Sequence, residues 1–242
     1  MKKIFAANWK LFKSPKETRE FFTQFKEVAG KAKGELVFFP SAISLEAAST
    51  TLQGSAVKFG AQNCYSHAQG AFTGENSAQV LKDLGGTYVL IGHSERRKIF
   101  GENDTLIADK VAYVQSLGLT PMLCIGETLQ EREDLKTYKV LDEQLHYGLA
   151  KADKTKPLVI AYEPVWAIGT GKVATPSQVE ETHADVYAIL TKLGFEESPI
   201  LYGGSVKPDN AGGLIKIPHV DGFLVGGASL EVKSFIDIAS AE

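Results

Sequence analysis

Eight short apolar runs recur along this chain, each followed by a longer amphipathic stretch, and that alternation limits its folds more than any other feature. The runs are Ile4–Lys10, Leu36–Pro40, Val57–Cys64, Tyr88–His93, Pro121–Gly126, Leu158–Glu163, Ile200–Gly203 and Gly222–Val225. Most are nearly continuous rather than alternating in polarity. Continuous runs suit strands covered on both faces, as in a parallel sheet flanked by helices. Parallel strands in turn need crossover segments of helical length.

The intervening segments carry helix signals. Ser14–Pro15–Lys16–Glu17 supplies an N-cap, a proline at the first helical position and a glutamate at the third. Thr175–Pro176–Ser177–Gln178 repeats the pattern. Behind it, Val179, Thr182, Val186, Ile189, Leu190 and Leu193 recur on one helical face, and Gly194 fits a stop. Gly118 closes the helix before the fifth strand in the same way. Leu129–Ala150 reads as one longer, charge-laced helix. No low-complexity linker divides the 242 residues, so the expectation is a single domain over 1–242. Its fold class is α/β, a closed (β/α)₈ barrel. An open doubly wound sheet is the other architecture with this alternation. Gly169–Thr170–Gly171–Lys172–Val173–Ala174 resembles a dinucleotide fingerprint, but it starts six residues beyond the strand end and lacks the later strand-end acid.

Net charge is −3 without a basic cluster, which argues against nucleic acid as a partner. Anionic small molecules remain compatible, since local positive ends outweigh a mild negative total. Cys64 and Cys124 form neither a disulfide framework nor a zinc spacing, which fits a cytoplasmic setting. No stretch has signal-peptide or membrane-span character, so no membrane partner is expected.

A barrel gathers the C-terminal ends of its strands at one rim, where sites form. The residues at those ends are Asn8–Trp9–Lys10, Gly92–His93–Ser94–Glu95, Glu163, Gly203–Gly204–Ser205 and Gly226–Gly227. Each has an ordinary reading: a solvated lysine, a hydrogen-bonded histidine, a strand-end ion pair, tight turns. Their joint arrival at one rim favours function. Glycine-bounded loops before helix starts at Lys207–Pro208–Asp209 and Ser229–Leu230–Glu231 suit an anion held by backbone N–H groups. Loops after strands seven and eight recur as phosphate sites in such barrels. Gly169–Gly171 offers a third wall, and the ligand inferred is a phosphate monoester on a small substrate.

Glu163 ends a buried run and precedes Pro164, where burial raises the proton affinity of a carboxylate and suits it as a general base. A helix opening at Ser94 disfavours an imidazolium at His93, leaving a neutral hydrogen-bond donor. Lys10 adds positive charge near a developing oxyanion. Base, electrophile and cation suit proton abstraction beside a carbonyl followed by reprotonation at the next carbon, with no cofactor and no metal. The segment Val165–Lys172, bulky then glycine-rich, reads as a closing lid.

These motifs resemble the triosephosphate isomerase family across nearly the whole chain. The resemblance is carried by Asn8–Trp9–Lys10, Gly70–Ala71–Phe72–Thr73–Gly74–Glu75, Gly92–His93–Ser94–Glu95–Arg96–Arg97, Cys124–Ile125–Gly126–Glu127, Ala161–Lys172, Tyr202–Val206 and Asp221–Leu230. The family is the type example of a glutamate base, a neutral histidine electrophile and a closing loop, so those roles also come with the resemblance. It implies interconversion of dihydroxyacetone phosphate and D-glyceraldehyde 3-phosphate through an enediolate. Glu163 moves the proton, His93 polarises the oxygens, and Lys10 with Asn8 stabilises the charge. Gly169, Ser205, Gly226 and Gly227 hold the phosphate. Ile168 and Leu224 clamp the Glu163 carboxylate, and Glu95 backs Lys10 from behind the rim. The resemblance further implies a homodimer in which Thr73 enters the partner's site near its Lys10 and Glu75 pairs with Arg96. Leu135 departs from the family, standing where a glycine is common, and the chain is slightly short.

Two other classes are compatible with parts of the pattern. An aldolase-type lyase on the same barrel would use Lys10 as a Schiff-base nucleophile. A binding protein that kept the barrel would need no base.

Overall fold

Capping chemistry sets where the helices begin. In the computed structural model, which describes residues 3–168 and 173–241, Ser14 caps helix α1 (Pro15–Val28) and Thr175 caps helix α8 (Pro176–Leu193), both with the reciprocal glutamate or glutamine bond. Gly194 ends α8 at φ 78°, in the left-handed region that glycine enters without a Cβ clash. Strands β1 (Ile4–Asn8), β2 (Glu35–Phe39), β3 (Lys58–Ala61), β4 (Tyr88–Ile91), β5 (Thr120–Ile125), β6 (Val159–Tyr162), β7 (Ile200–Tyr202) and β8 (Gly222–Val225) pair in sequence order, all parallel. β8 pairs back onto β1, with Ile4 opposite Gly222, and closes the barrel. The open-sheet alternative is thereby excluded. β1, β4, β6 and β7 end before the apolar runs that contain them do, because the last residues of those runs turn out of the ladder to form the rim.

Helices α2 (Leu45–Leu52), α3 (Ala78–Asp83), α4 (Ser94–Phe100), α5 (Asp104–Ser116), α6 (Leu129–Glu133), α7 (Thr137–Gly148), α9 (Pro208–Leu214) and α10 (Val232–Ala239) lie with α1 and α8 outside the barrel. The stretch expected as one helix over 129–150 is two. α6 ends in a Schellman motif: the Lys136 N–H donates to Glu131 O at 2.8 Å and the Leu135 N–H to Arg132 O at 3.0 Å. Leu135 occupies the left-handed position of that motif at φ 59°, with its side chain in solvent. The helix expected to start at Ser229 also differs. A short 3₁₀ turn covers Gly227–Leu230, and α10 begins at Val232.

Side-chain parity decides what faces inward. Ile4 and Ala6, Val37 and Phe39, Tyr88 and Leu90, Met122 and Cys124, Val159 and Ala161, Leu201, and Leu224 form a core distinct from the one between strands and helices. Alternate strand residues share a face. Two residues further along the inward sets of β1, β4, β5, β6, β7 and β8 come Asn8, Gly92, Gly126, Glu163, Gly203 and Gly226. The residues that fill the barrel therefore lead, two positions on, to those that line its C-terminal rim.

Candidate active site

The inward parity of β6 continues to Glu163, which is 3% exposed. Its Oε1 lies 2.9 Å from His93 Nε2, and its Oε2 accepts the Ser94 N–H at 3.3 Å. His93 is the N-cap of α4, and its Nδ1 accepts the Glu95 N–H at 3.2 Å. That bond leaves Nδ1 without a proton in the neutral ring and puts the ring proton on Nε2, facing Glu163. Gly92, at φ 68°, makes the turn that aims His93 into the barrel mouth.

Lys10 stands two residues beyond Asn8 at φ 51°, a conformation an ordinary side chain adopts at a cost. Both its backbone groups are held there. Asn8 Oδ1 accepts the Lys10 N–H at 3.1 Å, and Gln62 Nε2 donates to Lys10 O at 2.8 Å. The Lys10 ammonium lies 2.6 Å from Glu95 Oε1. Glu95 is thus the expected partner of Lys10, although its side chain is 43% exposed rather than packed behind the rim.

One cavity of about 200 Å³ collects these groups. Asn8, Lys10, His93, Glu163, Ser205, Gly226 and Gly227 all line it, with Ile168 and Leu224 as apolar walls. Every residue expected at the site is brought together except Gly169, which lies outside the described residues, as does Gly171. Ser205 Oγ donates to Ala167 O at 2.9 Å, tying the loop after β7 to the segment after β6.

The electrostatics differ from the sequence expectation in one respect. Burial does raise the proton affinity of Glu163. The opposing effects of His93, the Ser94 N–H and Lys10 are larger together, and the carboxyl is held below its ordinary value. Burial lowers the imidazole's affinity for a second proton, but the Glu163 and Glu95 carboxylates together outweigh it, so His93 is shifted upward. The Glu95 N–H on Nδ1 works against that second proton, because an imidazolium would give up the bond. The direction best founded in geometry is the lowered Glu163: two donors aim at its two oxygens.

The sequence reading gave no role to several supporting residues. Glu127, two residues past the end of β5, is fully buried. Its Oε1 accepts from Tyr162 OH at 3.2 Å, Trp166 Nε1 at 2.9 Å and Arg132 at 3.0 Å. A second strand-end acid after an apolar run was the signal available for it. Cys124 packs inside the barrel, where burial and then the nearby Glu163 push its thiol well above its ordinary value. Gln62 and Gln144 gave no local signal at all.

The chain matches the model of the triosephosphate isomerase family over residues 3–242. It is similar to the triosephosphate isomerase of Bdellovibrio bacteriovorus, 81% identical over 240 residues that cover 99% of this chain and all of that relative. The triosephosphate isomerases of Fusobacterium nucleatum and Aquifex aeolicus are each 44% identical, with 98% of both chains covered.

Proposed function

This chain belongs to the triosephosphate isomerase family, and from that premise we propose how its rim residues interconvert dihydroxyacetone phosphate and D-glyceraldehyde 3-phosphate. The reaction places the enzyme in glycolysis and gluconeogenesis, and its substrate is a triose phosphate. Glu163 takes the proton from the carbon beside the carbonyl and returns it to the neighbouring one. His93 donates Nε2–H to the carbonyl oxygen, and Lys10 with Asn8 stabilises the enediolate charge. Ser205, Gly226 and Gly227 hold the phosphate through backbone N–H groups, and Gly169 joins them. Two protons move, one between the carbons through Glu163 and one from the hydroxyl oxygen to the former carbonyl oxygen through His93, and no electrons leave, so the scheme balances without a redox partner.

The observation that carries this reading is the 2.9 Å contact between His93 Nε2 and Glu163 Oε1, in the cavity that also holds Lys10. It supplies a timing device. Unliganded, the carboxylate is ionised and needs no prior deprotonation. When a substrate oxygen takes the His93 proton donor for itself, Glu163 loses that partner while remaining buried. Its proton affinity then rises at the moment it must accept a proton. The lyase alternative is disfavoured by the Glu95 carboxylate 2.6 Å from Lys10, an ion pair that already engages the nitrogen a Schiff base would need as nucleophile.

The proposal extends to a homodimer. A groove of about 600 Å³ adjoins the active site, shares Asn8, Lys10 and His93 with it, and is lined by the exposed Phe12, Ile99 and Phe100. Contiguous apolar surface of this kind suits a protein partner. The Gly70–Glu75 loop of a second copy fits there, with Thr73 near Lys10 and Glu75 within reach of Arg96. We place the protein in the cytoplasm, in keeping with its two free, buried thiols. No helix among the described residues is long and apolar enough to cross a membrane.

Glu163→Asp tests the base. The carboxylate retreats by one methylene, and kcat falls more than tenfold in a folded protein. Unchanged turnover removes Glu163 from the mechanism.

A further inference from the structure

We infer that Gln144, on the outer helix α7, is the positioning residue that fixes where the Glu163 backbone sits. Its amide reaches inward and grips one peptide residue from both sides. The Gly126 N–H donates to Gln144 Oε1 at 2.8 Å, and Gln144 Nε2 donates to Gly126 O at 3.1 Å. This two-pronged clamp uses both halves of the amide, so its orientation is fixed by its own partners.

Gly126 matters because nothing separates it from the base. A Cβ at that position would overlap the Glu163 carbonyl oxygen. The two backbones are in direct contact, and no side chain larger than hydrogen fits between them. The flanking bonds run the same way: the Glu163 N–H donates to Ile125 O at 2.7 Å and the Val165 N–H to Glu127 O at 3.1 Å. The segment Ile125–Gly126–Glu127 is thus a template on which residues 163–165 lie. Its outer residues are held by the β5 ladder and by the buried Glu127 side chain. Gly126 has no side chain to anchor it, and Gln144 supplies the anchor from the next layer out.

A displacement of about 1 Å at a reacting group costs on the order of 10²-fold in rate, so a loosened template is read mainly in turnover. The phosphate corner, built from the loops after β7 and β8, does not depend on Gly126. Substrate anchoring and proton transfer therefore separate in the test. The inference rests on Glu163 being the base, and Glu163→Asp measured alongside reports on that reading by itself.

Gln144→Leu removes the clamp while keeping the side chain's bulk. The expected result is a fall of about tenfold or more in kcat, with KM within about twofold. Inhibition by a phosphorylated hydroxamate that mimics the planar enediolate weakens about tenfold, while inhibition by inorganic phosphate is unchanged. Gln144→Glu, which keeps an acceptor for the Gly126 N–H and loses the donor, gives a smaller fall in the same direction and stands in should the leucine variant fail to fold. A role confined to stability would lower the melting temperature and leave kcat and the hydroxamate-to-phosphate ratio of the folded enzyme as in the parent. That outcome, or equal weakening of both inhibitors, overturns the inference.

Discussion

Acid should weaken this protein through one histidine remote from the chemistry. His183, on α8, is fully buried. Its Nδ1 lies 2.9 Å from the His219 carbonyl oxygen, which fixes the neutral tautomer with the proton on Nδ1. Nε2 has no hydrogen-bond partner among the described residues, and the rings of Tyr162 and Tyr202 stand against the imidazole at 5.8 and 6.2 Å. A second proton on Nε2 would place a buried charge and an unanswered donor between aromatic rings. Burial therefore lowers the imidazole pKa from 6.5 to about 4, against a smaller upward effect of the His219 carbonyl. The folded state binds fewer protons than the unfolded chain between those values. Stability is present in full above pH 6.5 and is lost as pH falls toward about 4. The shift corresponds to roughly 3 kcal/mol in total, of which roughly 2 kcal/mol is gone by about pH 5. For a chain of this length that is a drop of about 4–8 °C in melting temperature. Urea unfolding at fixed protein concentration, from about pH 7.5 to pH 5, reads it directly. His183→Asn keeps an N–H for the His219 carbonyl and removes the titrating group, so its stability changes less over that range by roughly 2 kcal/mol. Parallel pH curves for parent and variant would refute the reasoning, whatever their offset.

Three further outcomes are expected. Leu135→Gly relieves a left-handed leucine at a helix end and raises stability by roughly 0.5–1 kcal/mol after the glycine's larger unfolded-state entropy is counted; a lower melting temperature contradicts it. Lys10→Ala leaves the far-ultraviolet circular dichroism unchanged but costs turnover at least roughly 10²–10³-fold, and retained activity would remove the ammonium from the scheme. Phe12→Asp puts a charge on the apolar groove and shifts sedimentation toward the 26.2 kDa protomer; a parent protein that already sediments at that mass at micromolar concentration would end the dimer proposal.

Much of the site was legible because it stands at or just past the ends of the apolar runs. Asn8, Glu163, Gly203 and Gly226 stand at run ends, and a barrel brings run ends to one rim. His93 could be read as a helix cap because Ser94–Glu95 follows it. What stayed hidden is what arrives through space. Nothing near Gln144 in the chain points to Gly126, and nothing near His183 points to the carbonyl of His219. The sign of the Glu163 shift was also hidden. Burial can be read from an apolar run, but the opposing donors come from β4 and α4, about seventy residues away. The long helix expected over 129–150 failed for a local reason: a leucine is a poor signal for a left-handed stop, and only the backbone shows that Leu135 fills one.

The pairing of the last strand with the first has a consequence for how this enzyme is made. Ile4 finds its partner in Gly222 only after almost the whole chain has left the ribosome. Until then the first strand has an open edge, and Gly226 and Gly227 have not joined Lys10. Such distant closure is slow and leaves sticky intermediates. Translation that stalls before β8 therefore yields an inactive product with an unpaired edge, a natural client for chaperones.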